Sequence, residues 1–340
     1  RSRMIKWHPR RSSLAMPWLP LTILLGALSI ACEAQAVFTQ GAFHIHSSSR
    51  AFVAFNKDLG TASCWGDSSY GGNCSGVDFV GTTEIYGSEK AFVAFRRDLG
   101  TAVCWGSSSD GGSCSGLDFS GTTEIFSSDG AFVAFKRDSG TAACWGDWGT
   151  GGLCSDVDFH GTTEIYSSDG AFVAFKKDLG TAACWGSWSS GGNCLGVDFS
   201  GTTEISSSST AFVAFKKDLG TAACWGDSTY GGDCSDVDFH GTTEIHSSEL
   251  AFVAFNKDLG MAVCWGRSSY GGSCSGVDFS GTTEIFSSLG AFVAFKRDSG
   301  TAACWGGSFY GGECSGINFT GTTMIYSAGR AFGAFKRDSG

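Results

Sequence analysis

The chain has 340 residues and is acidic, with 23 basic against 33 acidic side chains and a net charge of −10. Without a basic cluster, such a chain is a poor partner for nucleic acid or anionic lipid. Its 51 glycines recur at fixed offsets and all three prolines precede residue 21, so the glycines read as turn positions and no later strand is interrupted by proline.

The first 36 residues differ from all that follow. Lys6, Arg10 and Arg11 precede an apolar run over residues 14–31, and the segment ends at Ala34, Gln35 and Ala36. A basic start, an apolar centre and an A-x-A site predict a secretory signal peptide over residues 1–36. The rival is an uncleaved membrane anchor over residues 14–31, weakened by Pro17 and Pro20 inside it. Cleavage leaves 18 basic and 32 acidic residues, a net −14.

Residues 37–340 form one repeat domain with a period of 40: seven units over residues 41–320 and a half-unit over 321–340. In the unit 161–200, residues 162–166 alternate and predict a first strand. AFVAF at 171–175 predicts a second strand covered on both faces. Asp178, Leu179 and Gly180 predict a tight turn with glycine at positive φ. Residues 181–185 predict a third strand, and residues 193–199 a short fourth after a loop closed by Gly191 and Gly192. Four short antiparallel strands per unit predict an all-β fold, a seven-bladed β-propeller, with a β-solenoid as the alternative.

Each unit carries cysteines ten residues apart: Cys64/Cys74, Cys104/Cys114, Cys144/Cys154, Cys184/Cys194, Cys224/Cys234, Cys264/Cys274 and Cys304/Cys314. An even count per unit behind an export signal predicts disulfides bracketing the loop between the third and fourth strands. Zinc is disfavoured, because the spacing is not C-x2-C and no histidine recurs with the pair. Asp156 and Asp158, or Asp236 and Asp238, offer too few oxygens for calcium. No histidine recurs through the copies, and GDSS at 66–69 has no paired base, so no catalytic residue, metal or cofactor is expected.

The phrase AFVAFKKDLGTAACWG at 171–186, with a loop such as DSTYGG at 227–232, resembles the regulator of chromosome condensation repeat. The resemblance covers every copy and implies a seven-bladed propeller. The family's founding activity, nucleotide exchange on a nuclear small GTPase, is what it implies for function. This chain departs from it in a shorter unit, two cysteines per unit and an apparent export signal, and no exchange-site residue carries over.

The copies differ chiefly in the loop after CWG and in the turn between the first two strands, which antiparallel pairing sets at the same end of the sheet. Tyr70, Trp148, Trp188, Tyr230, Tyr270, Phe309 and Tyr310 set rings among serines there, a recognition surface for protein or glycan. The sequence therefore points to a secreted, non-enzymatic binding module. A regulator of a small GTPase and a structural extracellular repeat are the alternatives.

Overall fold

The computed structural model describes residues 43–336, in two compact units, residues 43–120 and 121–336. The expected signal peptide lies outside the described residues. The first unit holds two three-stranded antiparallel sheets; the second holds five, followed by a two-stranded sheet. The fold is all-β and repeats every 40 residues, as expected.

The repeat around residue 175 shows the local logic. Its strands are Glu164–Ser167, Ala171–Lys176 and Thr181–Gly186, joined in simple hairpin order. The first turn is tied by Ser168, whose hydroxyl oxygen accepts from the Ala171 N–H at 3.0 Å. The second is a single 3₁₀ turn, Lys177–Leu179, ended by Gly180 at φ 60°, the left-handed residue the sequence required. The first strand begins later than expected. Thr163 lies ahead of it, donating its hydroxyl to the Phe175 carbonyl at 3.1 Å and accepting the Lys177 N–H at 3.2 Å.

Among the described residues the expected fourth strand is absent, and seven of the eight sheets have three strands. Over residues 193–199 side chains capture the N–H groups that a ladder would need. Asn193 Oδ1 accepts from Leu195 N at 3.0 Å, Asp198 Oδ1 accepts from Ser200 N at 2.9 Å, and Val197 N donates to the Cys194 carbonyl at 3.2 Å. Phe199 nevertheless turns inward and is buried.

This corrects the placement of half the cysteines. All seven expected disulfides are formed, with Cα atoms 5.7–5.8 Å apart: Cys64 to Cys74, Cys104 to Cys114, Cys144 to Cys154, Cys184 to Cys194, Cys224 to Cys234, Cys264 to Cys274 and Cys304 to Cys314. The first member of each pair lies on a third strand, as expected. The second members, Cys74, Cys114, Cys154, Cys194, Cys234, Cys274 and Cys314, lie in irregular chain instead of on a strand. The physical reason is local and recurs. Each of their carbonyls accepts the N–H three residues on, from Val77, Leu117, Val157, Val197, Val237, Val277 and Ile317 at 3.1–3.4 Å, which curls the chain into a turn. The bridge therefore clips a turn to a strand, where the sequence predicted a clasp between two paired strands.

Phe199 belongs to the packing between successive sheets. Ala171, Val173 and Phe175 of one sheet meet Phe212, Ala214 and Trp225 of the next, with Phe199 and Ile205 filling the gap. Phe172 and Ala174, on the other face of the same strand, pack with Trp185 against Val133 and Phe135 of the preceding sheet. Strand periodicity of two thus explains a continuous apolar run: the second strand serves two interfaces at once. Each fully buried phenylalanine contributes roughly 1.5–3 kcal/mol relative to exposure.

Polar contacts fix the stacking register. Trp185 Nε1 donates to the Gly151 carbonyl of the preceding repeat at 3.1 Å, and Trp225 does the same to Gly191 at 3.1 Å. In the turn between the first two strands the Asp169 N–H donates to the Ser209 carbonyl at 3.0 Å, and Ser209 to Glu249 at 2.8 Å. In the first unit Ser49 N and the Glu89 carbonyl repeat this bond at 3.0 Å.

Charges also pair between repeats. The buried Lys176 reaches Asp158 of the preceding repeat at 2.5 Å, Lys216 reaches Asp198 at 2.5 Å, and in the first unit Arg96 reaches Asp78 at 2.8 Å. The hydrogen bond from Lys216, with those from Ser200, holds the Asp198 carboxyl below its ordinary range. That contribution is present above the ordinary carboxylate pKa and is lost as acid protonates Asp198.

The Glu of TTEI starts the first strand of six sheets, and its support varies. Tyr166 donates its hydroxyl to Glu164, and His246 Nε2 lies 3.2 Å from a Glu244 oxygen. Glu204 has Ser206 in the corresponding place. Desolvation raises the Glu204 carboxyl above its ordinary range, and the charges of Glu244 and Glu164 add to this while His246 and Lys217 oppose it.

Two glycines of one loop make unequal demands. Gly191 has φ 92°, and a Cβ there would stand 2.5 Å from the Phe212 ring, whereas Gly196 has φ 82° with nothing within 4 Å. Both alanine variants bear left-handed strain of about 1–2 kcal/mol. Gly191→Ala carries an added overpacking cost of about 1–3 kcal/mol, so denaturant titration should show it clearly less stable than Gly196→Ala. Because a raised carboxyl pKa means that ionisation opposes folding, the cost of Glu204 grows as pH rises past the ordinary carboxylate value. Glu204→Gln should therefore raise Tm at pH 7 and leave it unchanged near pH 3; a uniform shift at both pH values would contradict the assignment.

Candidate functional site: the disulfide-closed loops

The loop after each third strand follows one plan. A single helical turn, such as Trp148–Thr150 or Trp188–Ser190, sits between the bridged cysteines and ends on a left-handed glycine. Where aspartate precedes the turn it caps it: Asp147 Oδ1 accepts from Gly149 N at 2.7 Å, and Asp227 Oδ1 from Thr229 N at 2.9 Å. The ending glycine offers its carbonyl to the tryptophan of the next repeat, as Gly151 does to Trp185. The loops ending at Gly71, Gly151, Gly191, Gly231 and Gly271 are therefore held by their own disulfides and by the neighbouring sheet.

The turn between the first two strands adjoins this loop. Ser187 N donates to the Gly170 carbonyl at 2.8 Å, and the Ser168 hydroxyl donates to the Ser190 carbonyl at 2.9 Å. The same pair of bonds recurs with Gly307 N to Gly290 at 2.8 Å and Ser288 Oγ to Tyr310 at 2.7 Å. The two variable segments of a repeat thus lie together at one end of its sheet.

The seven aromatic residues fall into two groups. Trp148, Trp188 and Phe309 project into solvent, 81%, 77% and 89% exposed. Tyr70, Tyr230, Tyr270 and Tyr310 close their helical turns and are half-covered. The tyrosines take partners that the sequence reading missed. Arg50 lies over the Tyr70 ring at 4.9 Å in the first unit. In the second, Arg267 lies 5.8 Å from the Tyr230 ring and 5.2 Å from the Tyr270 ring, and Arg330 lies 5.7 Å from that of Tyr310. The Tyr270 and Tyr310 rings are 5.2 Å apart and their hydroxyls 3.1 Å apart. That hydrogen bond, with some desolvation, pushes the Tyr270 phenol above its ordinary range.

The signal for these arginines was present as disagreement between copies. Arg267 stands where other repeats have Asp67, Ser107, Asp147, Ser187, Asp227 or Gly307. Lys90 and Asp110 show the same geometry in another chemistry: Asp110 replaces the tyrosine and pairs with Lys90 at 3.3 Å.

Chemically the loops offer exposed rings, serine hydroxyls and scattered guanidinium groups. Among the described residues there is no cluster of three or more His, Cys, Asp or Glu side chains arranged for a metal, and no helix long and apolar enough to cross a membrane.

No family model and no curated protein matches the chain. Solved structures give distant likenesses. The entire ectodomain of the Physcomitrella patens receptor kinase CR4 aligns at TM-score 0.44 and 17% identity, over 66% of this chain and 61% of that one. The chain thus spans about three fifths of the moss structure. The CRINKLY WD40 ectodomain of the Arabidopsis thaliana receptor kinase ACR4 aligns at TM-score 0.44 and 19% identity, over 72% of this chain and 89% of that one. Human WBSCR16 aligns at TM-score 0.30 and 12% identity, over 78% and 62%. The all-β assignment accordingly rests on the strand pairing and the repeat, and the seven disulfides point to an extracellular, oxidising compartment.

Proposed function

We propose that the protein is a secreted, non-enzymatic binding module in which the repeats act as propeller blades and the disulfide-closed loops form the ligand surface. One observation carries this reading: large aromatic side chains stand in solvent on loops whose backbone is fully constrained. Trp148 and Trp188 are 81% and 77% exposed, yet each sits in a turn closed by a disulfide and gripped by the next repeat's indole. An exposed ring on a rigid loop loses little entropy on binding, which favours recognition of a sugar face or a protein surface. Aromatic rings beside serine hydroxyls, as at Trp188, Ser187 and Ser189, supply stacking and hydrogen bonds together.

The test is a screen of the disulfide-bonded protein against arrayed neutral and acidic oligosaccharides and extracellular proteins. Trp148→Ala with Trp188→Ala should weaken the strongest interaction at least tenfold while leaving Tm within about a degree, because neither side chain is part of a core. Binding that survives the double substitution would favour the structural-repeat reading. Acceleration of nucleotide exchange on a small GTPase would favour the regulator reading.

A further inference from the structure

Within the second unit, Tyr230, Arg267, Tyr270, Tyr310 and Arg330 form a continuous strip, and we propose that it binds an acidic oligosaccharide of the uronate type. The inference rests on the reading that the loops are the ligand surface, and it names the ligand class for one part of them. Contact runs unbroken along the strip: Tyr230 to Arg267, Arg267 to Tyr270, Tyr270 to Tyr310, and Tyr310 to Arg330, at 5.8, 5.2, 5.2 and 5.7 Å.

Arg267 and Gly307 set this stretch apart from the corresponding place in the other copies. Arg267 displaces the aspartate that caps the turn at Asp67, Asp147 and Asp227, so the repeat gives up a cap to gain a guanidinium. Gly290 and Gly307 make room for Tyr310. A Cβ on either would stand 2.7 Å from its Cδ2, and one on Gly290 would also stand 3.1 Å from the Tyr270 ring. Gly130 and Gly170 share the glycine of Gly290, while other copies have Lys90, Thr210 or Leu250 there.

Both arginines are exposed, and among the described residues neither forms an ion pair. Most basic side chains with a defined contact are instead spent on carboxylates within or between repeats. Stacking on a tyrosine face orients each guanidinium, and Arg267 Nε also donates to Ser269 Oγ at 3.2 Å, which leaves its two terminal nitrogens for a carboxylate. Glu249, whose charge acts on Tyr270, is the acidic neighbour that opposes this, one carboxylate against two guanidinium groups.

A uronate fits better than an acidic peptide. The backbone N–H groups of the strip are committed, Arg267 to Leu250, Tyr270 to Arg267, Gly307 to Gly290 and Tyr310 to Gly307, so no strand edge is open to an added peptide. Tyrosine hydroxyls, Ser268, Ser269, Ser308 and the exposed Phe309 ring offer what sugar hydroxyls and C–H faces take up.

The experiment titrates the intact protein with a galacturonate hexamer, the same hexamer fully methyl-esterified, and hexaglutamate. Wild type should bind the galacturonate hexamer, with the methyl ester at least tenfold weaker and affinity falling as salt rises. Arg267→Asp with Arg330→Gln should weaken hexamer binding at least tenfold; the first change restores a residue three other repeats carry, so folding is preserved. Lys257→Gln, which removes one charge in the turn at the other end of its sheet, should leave binding within twofold. Undiminished binding by the double arginine variant overturns the proposal, and so does hexaglutamate binding as tightly as the uronate. If no hexamer binds while Trp148 and Trp188 still govern a neutral ligand, this inference fails and the loop-surface reading stands.

Discussion

Everything above a single repeat depends on how one tryptophan meets the sheet before it. Its indole stacks on a phenylalanine of its own sheet, Trp185 on Phe172 at 5.2 Å, and meets Phe159 of the preceding repeat edge-on at 5.3 Å. Its N–H goes to a glycine carbonyl that would otherwise be buried without a donor. The same glycine must be left-handed to end its helical turn and must lack a Cβ to let the phenylalanine pass. One contact thus joins core packing, hydrogen-bond satisfaction and loop geometry, and losing any part of it disturbs all three.

This coupling explains why the loops vary without loosening. Their backbone is set by elements outside the variable residues: the disulfide, the ending glycine, the neighbouring indole and the serine of the adjoining turn. Side chains within the turn are then free to change, because none is needed for the fold. Trp148, Ser228, Ser268 and Ser308 occupy the same place in the same helical turn. A scaffold of this kind separates what must stay constant across the copies from what can specify a ligand.

Much of the fold was legible in the sequence because it lies within one unit. The second strand, the glycine turn, the Cys-Trp-Gly strand and the cysteine pairing each depend on residues close in the chain. The fourth strand was misread because the run of Cys194, Val197 and Phe199 suggests buried strand residues, although Asn193 and Asp198 turn the backbone between them. A spacing of ten residues brings two sulfurs together equally well from a paired strand or from a turn, so the bridges themselves could not tell the two apart. The pairing of Lys176 with Asp158, and of Arg267 with Tyr230 of the preceding repeat, could not be read from one unit. Those contacts join different repeats, and they require the register between sheets that only the structure supplies.

The two ends of the sheets use charge in opposite ways. At the uniform turns, Lys176, Lys216 and Lys296 each pair with an aspartate of the preceding repeat, and the cations help hold neighbours together. At the variable loops the paired exception is Lys90 with Asp110, while Arg267 and Arg330 lie over rings. A guanidinium on an exposed ring contributes about 0.5–1 kcal/mol, comparable to the roughly 1 kcal/mol that an aspartate cap contributes. Stability alone therefore gives little reason for Arg267 to replace the capping aspartate. What the exchange does alter is the charge presented to solvent, and in a chain of net −10 an exposed cation paired with no carboxylate is a specific feature of the surface.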